Sequence, residues 1–370
     1  MLLNLVPREN IYINGRFLAA PLTGVQRVCY ELTKGLDRQL QNSDAPERPW
    51  RLLVPERTVS PELKIIETKT VEGGSGVFWE QTRLAHAAKD GYLLNFANTG
   101  PLNHRRSIVM LHDAQVRDTP ASYSAAFALW YRLHQPILAK RALSVLTVSE
   151  YSKERLAHYN IAPSEKIHVI PNGCDHFYTS ESDYNSSHRD PTKEAPDLPP
   201  YCVAVSSPLP HKNIRLLLEA FEDPRLASID LKLIGAPLPA GKSPPTNVKH
   251  LGRVTDEAMT SLFKGALCVL LPSKTEGFGL TALEAMINHA PVIAARAGAL
   301  PETCGDAATL LDPNDERAWS DAILDLHTNP GKRDEMIELG SQRVKQFSWD
   351  QAATKVLGIV NGLTENTGSA

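Results

Sequence analysis

Pro272-Ser273-Lys274-Thr275-Glu276-Gly277-Phe278-Gly279-Leu280-Thr281-Ala282-Leu283-Glu284-Ala285-Met286 is the stretch from which the fold is read. The apolar run Leu267-Cys268-Val269-Leu270-Leu271 before it has the length and composition of a buried strand, and Thr281 to His289 after it reads as a helix. A glycine-containing loop joins the two. Glycines at a strand-to-helix turn let backbone N–H groups approach an anion closely, and the helix start adds the positive end of its dipole. Glu276 precedes the helix and Glu284 lies in its first turns, with seven residues between them. A carboxylate does not ligate a phosphate, but it accepts hydrogen bonds from vicinal hydroxyls. Phosphate-binding amides flanked by two hydroxyl-binding carboxylates point to a sugar nucleotide.

At these residues the chain resembles the retaining glycosyltransferases of the GT-B fold, family 4. That family carries two glutamates with this spacing in the pattern E-G-F-G-L-x-x-L-E-A-M, matched here by Glu276, Gly277, Phe278, Gly279, Leu280, Leu283, Glu284, Ala285 and Met286. The resemblance implies an α/β architecture: two Rossmann-like, doubly wound parallel-sheet domains facing across a cleft. Residues 1–185 would form the N-terminal acceptor-side domain, joined by a helix over 350–370 that crosses back onto it. Residues 186–200 would be the linker, and 201–349 the nucleotide-sugar-binding domain.

Composition agrees with two soluble α/β domains. The chain has 370 residues, 42% apolar and 22% charged, enough for two cores. No stretch is long and apolar enough to span a bilayer, and Pro7, Arg8 and Glu9 interrupt any signal-peptide pattern. The five cysteines are scattered and form no C-x-x-C, so neither a disulfide framework nor a zinc site is expected, and a cytoplasmic location fits. The net charge of −3 is uneven: residues 1–180 carry 21 Lys+Arg against 17 Asp+Glu, and residues 181–370 carry 18 against 25. A basic first half suits an anionic membrane surface or a diphosphate acceptor, and equally a chance asymmetry of solvated faces.

Taken in order, Asn10 to Asn14 reads as a first strand, and Thr23-Gly24-Val25-Gln26-Arg27 opens a helix through Leu36. In the family the glycine of this turn, here Gly24, lets the backbone approach the donor. Arg51 to Pro55, Tyr92 to Asn95 and Ser107 to His112 are further strands. His112 ends one of them, where open α/β sheets bind ligands, and the resemblance places it beside the donor sugar. Ser122 to Leu143 reads as one long helix, with Trp130 and Tyr131 beside Arg132. Such a face suits a membrane interface, and also an ordinary domain helix with a broad apolar side. Ser149 is placed to cap the next helix, and Ile170-Pro171-Asn172-Gly173 resembles the string that closes the first domain in the family. Thr179 to Pro200, rich in Ser, Asp, Asn and Pro, reads as a linker, after which Tyr201 to Val205 starts a second strand–helix series.

The loop Ser206-Ser207-Pro208-Leu209-Pro210-His211-Lys212-Asn213 departs from the family pattern. Lys212 matches the lysine that neutralises the donor diphosphate, but Ser207 stands where an arginine is usual. One cation is missing or replaced, with His211 as the candidate. The implied assignment gives Lys212 and the amides of Phe278, Gly279, Leu280 and Thr281 to the diphosphate, Glu284 to the ribose, and Glu276 and His112 to the donor sugar. No metal or other cofactor is expected, and no D-x-D stands ready to hold one. The partners expected are a nucleotide sugar, read as GDP-mannose, and a glycan or lipid-linked acceptor of bacterial polysaccharide assembly. A peripheral contact with anionic lipid at the inner membrane face is a further expectation; nucleic acid is not. A UDP-sugar enzyme and a non-catalytic sugar-nucleotide binder stand as alternatives. A dinucleotide oxidoreductase is disfavoured because no G-x-G-x-x-G follows Tyr12 to Asn14 or Val203 to Val205.

Overall fold

The computed structural model describes residues 9–42, 48–177, 199–237 and 244–366. The chain divides into two compact units. One takes Met1–Arg117, Ala125–Gly173 and Trp349–Ala370; the other takes Asp118–Ser124 and Cys174–Ser348. Most of the expected linker, 186–200, lies outside the described residues.

The first unit is built on β1 (Asn10–Asn14), β2 (Trp50–Pro55), β3 (Glu67–Val71), β4 (Gly91–Asn95), β5 (Ser107–Met110), β6 (Ser144–Thr147) and β7 (Ile167–Val169). They form one parallel sheet in the order β3-β2-β1-β4-β5-β6-β7. Parallel strands covered on both faces read as unbroken apolar runs, and Leu52-Leu53, Tyr92-Leu93-Leu94 and Ile108-Val109-Met110 are such runs, all buried. The edge strand β3, Glu-Thr-Lys-Thr-Val, is exposed along most of its length and has no apolar signature; sequence reading passes over it for that reason.

The terminal helix, Trp349–Asn366, joins this unit. It buries Trp349, Ala352, Ala353, Val356 and Val360 at helical spacing, and Arg38 on the helix Gly24–Asn42 pairs with Asp350 at 2.7 Å. Gly35 marks the closest approach, because a Cβ there would lie 2.9 Å from the Trp349 carbonyl oxygen.

The second unit carries β8 (Tyr201–Ser206), β9 (Asp230–Gly235), β10 (Val248–Gly252), β11 (Cys268–Leu271), β12 (Val292–Ala295) and β13 (Ala308–Leu311). Their order is β10-β9-β8-β11-β12-β13, again parallel. The helix expected over Ser122 to Leu143 is shorter, Ala125–Arg141. Pro120 starts a separate turn, Pro120–Ser122, and Asp118–Ser124 belongs with the second unit. The reason is that Ser122 and Tyr123 find their partners there, at His211.

Candidate active site

In each sheet the strand order reverses once, and ligands of open α/β sheets bind where the loops diverge from the carboxyl ends of the two strands at that point. In the second unit those strands are β8 and β11. Their loops, Ser206–Asn213 and Pro272–Gly279, carry most of the residues singled out from the sequence.

The two loops are tied together by backbone. The Lys274 N–H donates to the His211 carbonyl at 2.8 Å, and Asn213 donates its side-chain amide to the carbonyls of Pro272 and Pro313 at 3.0 and 2.7 Å. This fixes Lys212 opposite Glu276, and their Nζ and Oε1 lie 2.7 Å apart, with the two side chains 29% and 15% exposed. Burial on its own would raise the Glu276 carboxyl. The Lys212 charge and hydrogen bond, with help from Ser273 and His211, outweigh it and hold the group below the usual carboxylate range. The cation assigned to a diphosphate and the carboxylate assigned to a sugar are thus partnered with each other.

The loop 298–302 holds Glu276 from behind. Ala299 N–H donates to the Glu276 carbonyl at 2.9 Å, and a Cβ on Gly298 (φ 59°) would stand 2.4 Å from the Glu276 nitrogen. At Gly279 the chain turns through φ 94° into the helix Leu280–Ile287, a left-handed step that glycine takes without strain. Phe278 is buried edge-on against Phe347 at 5.8 Å, and its carbonyl accepts from the Thr303 hydroxyl. The amides at the start of a helix have no intrahelical acceptor, so Leu280 and Thr281 present theirs at the end where Glu276 sits.

Glu284 lies about one turn further along this helix and is buried, with Oε1 3.4 Å from His176 Nε2. His176 escaped the sequence reading. It follows the Ile170–Gly173 string and carries no motif of its own, so only the fold shows it at Glu284. Ser207 uses its hydroxyl to accept from the Leu209 N–H at 3.3 Å, which shapes its own loop. His211 does not replace the missing arginine as a cation. It is buried, with Nδ1 2.9 Å from Ser122 Oγ, and burial with the neighbouring Lys212 charge pushes its imidazole down to about 4. It is therefore neutral at physiological pH.

Gly24 and His112 are in the first unit. A Cβ on Gly24 would meet nothing within 4 Å, so no contact among the described residues requires glycine there. His112 is buried beyond the end of β5. Its Nε2–H donates to the Phe96 carbonyl at 2.7 Å, and burial pushes the ring down to about 4. The ring is neutral, and this bond fixes the tautomer that leaves Nδ1 as an acceptor.

Two family models match, one described as glycosyl transferases group 1 over residues 188–343 and the other as glycosyltransferase family 4 over residues 79–176. The chain is a glycosyltransferase. Among similar curated proteins, the O-antigen chain mannosyltransferase B of Escherichia coli is 26% identical over 91% of this chain and 95% of its own length. The O-antigen chain mannosyltransferase RfbU of Salmonella typhimurium is 26% identical over 61% of this chain and 62% of its own. Among solved structures, a sucrose-phosphate synthase from Thermosynechococcus elongatus superposes with a TM-score of 0.71 at 17% identity, covering 97% of this chain and 100% of that one. Anabaena HepE in complex with UDP and glucose gives 0.70 at 18%, covering 96% and 100%. The glycosyltransferase therefore has the GT-B fold, with one parallel-sheet α/β domain in each unit.

Proposed function

We propose that this glycosyltransferase is a retaining mannosyltransferase that uses GDP-mannose and elongates a glycan or lipid-linked acceptor during polysaccharide assembly. The observation that carries the donor site is the Lys212–Glu276 pair at the reversal of the second sheet, beside the Gly279 turn and the buried Glu284. In this reading the diphosphate displaces Glu276 from Lys212 and takes the ammonium and the amides of Phe278 to Thr281 as its partners. Glu276, released, accepts from hydroxyls of the sugar. Glu284 accepts from the ribose hydroxyls. The bond from the anomeric carbon to the diphosphate breaks as the acceptor oxygen approaches from the same face, and the acceptor proton passes to the departing phosphate oxygen. The lysine and the amides stabilise the charge that develops there, which makes a metal unnecessary. His112, neutral and with Nδ1 available as an acceptor, suits a sugar hydroxyl.

Mannose rests on the names of the two O-antigen mannosyltransferase relatives, and GDP on the sequence resemblance. A UDP-sugar donor is the second reading, favoured by the UDP bound in the HepE structure of the same fold. A panel of GDP-, UDP- and ADP-sugars scored by thermal shift separates the two. Turnover of labelled donor then separates an enzyme from a non-catalytic binder, and NMR of the product anomer tests retention.

The same reading places the enzyme against anionic lipid. Among the described residues no helix is long and apolar enough to cross a membrane. The helix Ala125–Arg141, however, leaves Leu129, Trp130, Leu133 and Ile137 exposed along one side, with Arg132, Lys140 and Arg141 exposed beside them. Apolar side chains flanked by cations suit an interfacial contact.

A further inference from the structure

The first sheet also reverses its order once, between β1 and β4. A second ion pair stands at the carboxyl ends of those two strands. Glu80 is buried, and its Oε1 accepts from Asn14 Nδ2 at the end of β1 (2.9 Å), from Arg16 Nε (3.0 Å) and from Thr99 Oγ1 (3.0 Å). Arg16 Nη2 donates to the same threonine at 2.8 Å. Asn95, ending β4, accepts from Asn14 at 3.0 Å and completes the floor.

This network holds one edge of each charged group and leaves the other edge unused. Among the described residues, neither Glu80 Oε2 nor Arg16 Nη1 makes a hydrogen bond, and the Arg16 side chain is 24% exposed. The helical turn carrying Glu80 is widened into a π-turn over Glu80–Leu84, a local distortion that recurs at functional sites. The Tyr131 phenol is close enough to feel the charges of Arg16, Glu80 and Asp113, and it is partly buried. A buried ion pair adds little to stability on balance, so packing alone gives weak reason to keep one here.

We infer that the Arg16–Glu80 pair is a second binding site, which takes the hydroxyls of a neutral carbohydrate ring. Charge decides against a phosphate. Arg16 and Glu80 cancel, and Asp113 adds a negative charge nearby. A hydroxyl both donates and accepts, so it satisfies Glu80 Oε2 and Arg16 Nη1 together; a phosphate oxygen offers nothing to the carboxylate. The Tyr131 hydroxyl supplies a further donor or acceptor. Within the proposed transferase, on which this assignment of role rests, the site would hold the glycan end of the acceptor.

Saturation-transfer NMR with methyl α-mannopyranoside on the full chain tests the site without needing catalysis. Wild type should give a saturable signal that Glu276→Gln leaves unchanged and inorganic phosphate does not compete away. Arg16→Lys keeps a charge for Glu80 but removes the outer edge of the fork, and should weaken binding at least tenfold. The double variant Arg16→Gln/Glu80→Gln, which strands no buried charge, should do the same. Tyr131→Phe keeps the ion pair whole and should weaken binding severalfold, which guards against misfolding of the other two. Hydrolysis of the sugar nucleotide by water should persist in all three, since they leave the donor loops intact; its absence from wild type as well would count against the transferase reading and not against this site. No saturable signal in wild type, a signal lost in Glu276→Gln but kept in Arg16→Lys, or displacement by phosphate would each overturn the inference.

Discussion

Replacing Lys212 by alanine removes the side-chain cation assigned to the leaving diphosphate. The nitrogen lies 2.7 Å from Glu276 Oε1 and is held in place by two tied loops, so a phosphate oxygen taking that position would meet it at hydrogen-bond distance. Unit charges about 3 Å apart attract by about 1.4 kcal/mol at the dielectric of water and about 5.5 kcal/mol at an effective dielectric near 20. A side chain 29% exposed lies between those limits, and about 3 kcal/mol is a fair middle value. Applied to charge that develops as the bond breaks, this slows the chemical step about 150-fold. Part of the loss is offset, because Glu276 loses the charge that holds its carboxyl low, and burial then favours its neutral form. Single-turnover kinetics with labelled donor, at saturating donor, isolate the step. The expected result is a loss of one to three orders of magnitude in rate with a smaller loss in donor affinity. A variant slowed less than about fivefold, or impaired only in binding, would show that Lys212 does not act on the leaving group.

Glu284→Ala should weaken nucleotide binding by about 1–3 kcal/mol, the cost of losing a buried charged acceptor, and calorimetry with nucleoside diphosphate reads this directly; unchanged affinity would remove Glu284 from the ribose. The imidazoles of His112 and His211 are both pushed down to about 4 by burial, so below the ordinary histidine value of 6.5 the unfolded chain takes up protons before the native one. Stability should therefore fall as pH drops from about 6.5 towards 4, by at most about 3 kcal/mol per ring, and His112→Gln should lose less over that range in urea titrations. The Glu276 carboxyl, held low, adds stability above its ordinary value of 4.5 that disappears on further acidification, so the gap between wild type and Glu276→Gln should close at the acid end. Co-sedimentation with anionic vesicles at low salt should weaken as salt rises, and should fall further in a Trp130→Ser/Leu133→Ser variant; binding unaffected by those changes would place any membrane contact elsewhere.

What could be read in the sequence is what depends on neighbours along the chain. The strand–turn–helix around Gly279 needs a left-handed step at one residue and an apolar run before it, and both are local demands written into adjacent positions. Strand β1 coincides with its sequence reading, and β2 and β4 differ from theirs by one residue, because buried parallel strands are marked by apolar runs. The polar edge strand β3 carries no such mark and had to be seen. Pairings between distant residues were also left to the tertiary structure. Lys212 meets Glu276 and Arg16 meets Glu80 because parallel strands bring the segments beyond their carboxyl ends together, and His176 meets Glu284 where the turn Asp175–Phe177 packs on the helix Leu280–Ile287. The same holds for His211. Its sequence suggests a substitute cation, but protonation depends on how deeply a ring is buried and by what, and the segment carrying Ser122 and Tyr123 helps to bury it. Residue types and spacing state which chemistry is on offer; burial and long-range contact decide the charge each group carries and the partner it meets.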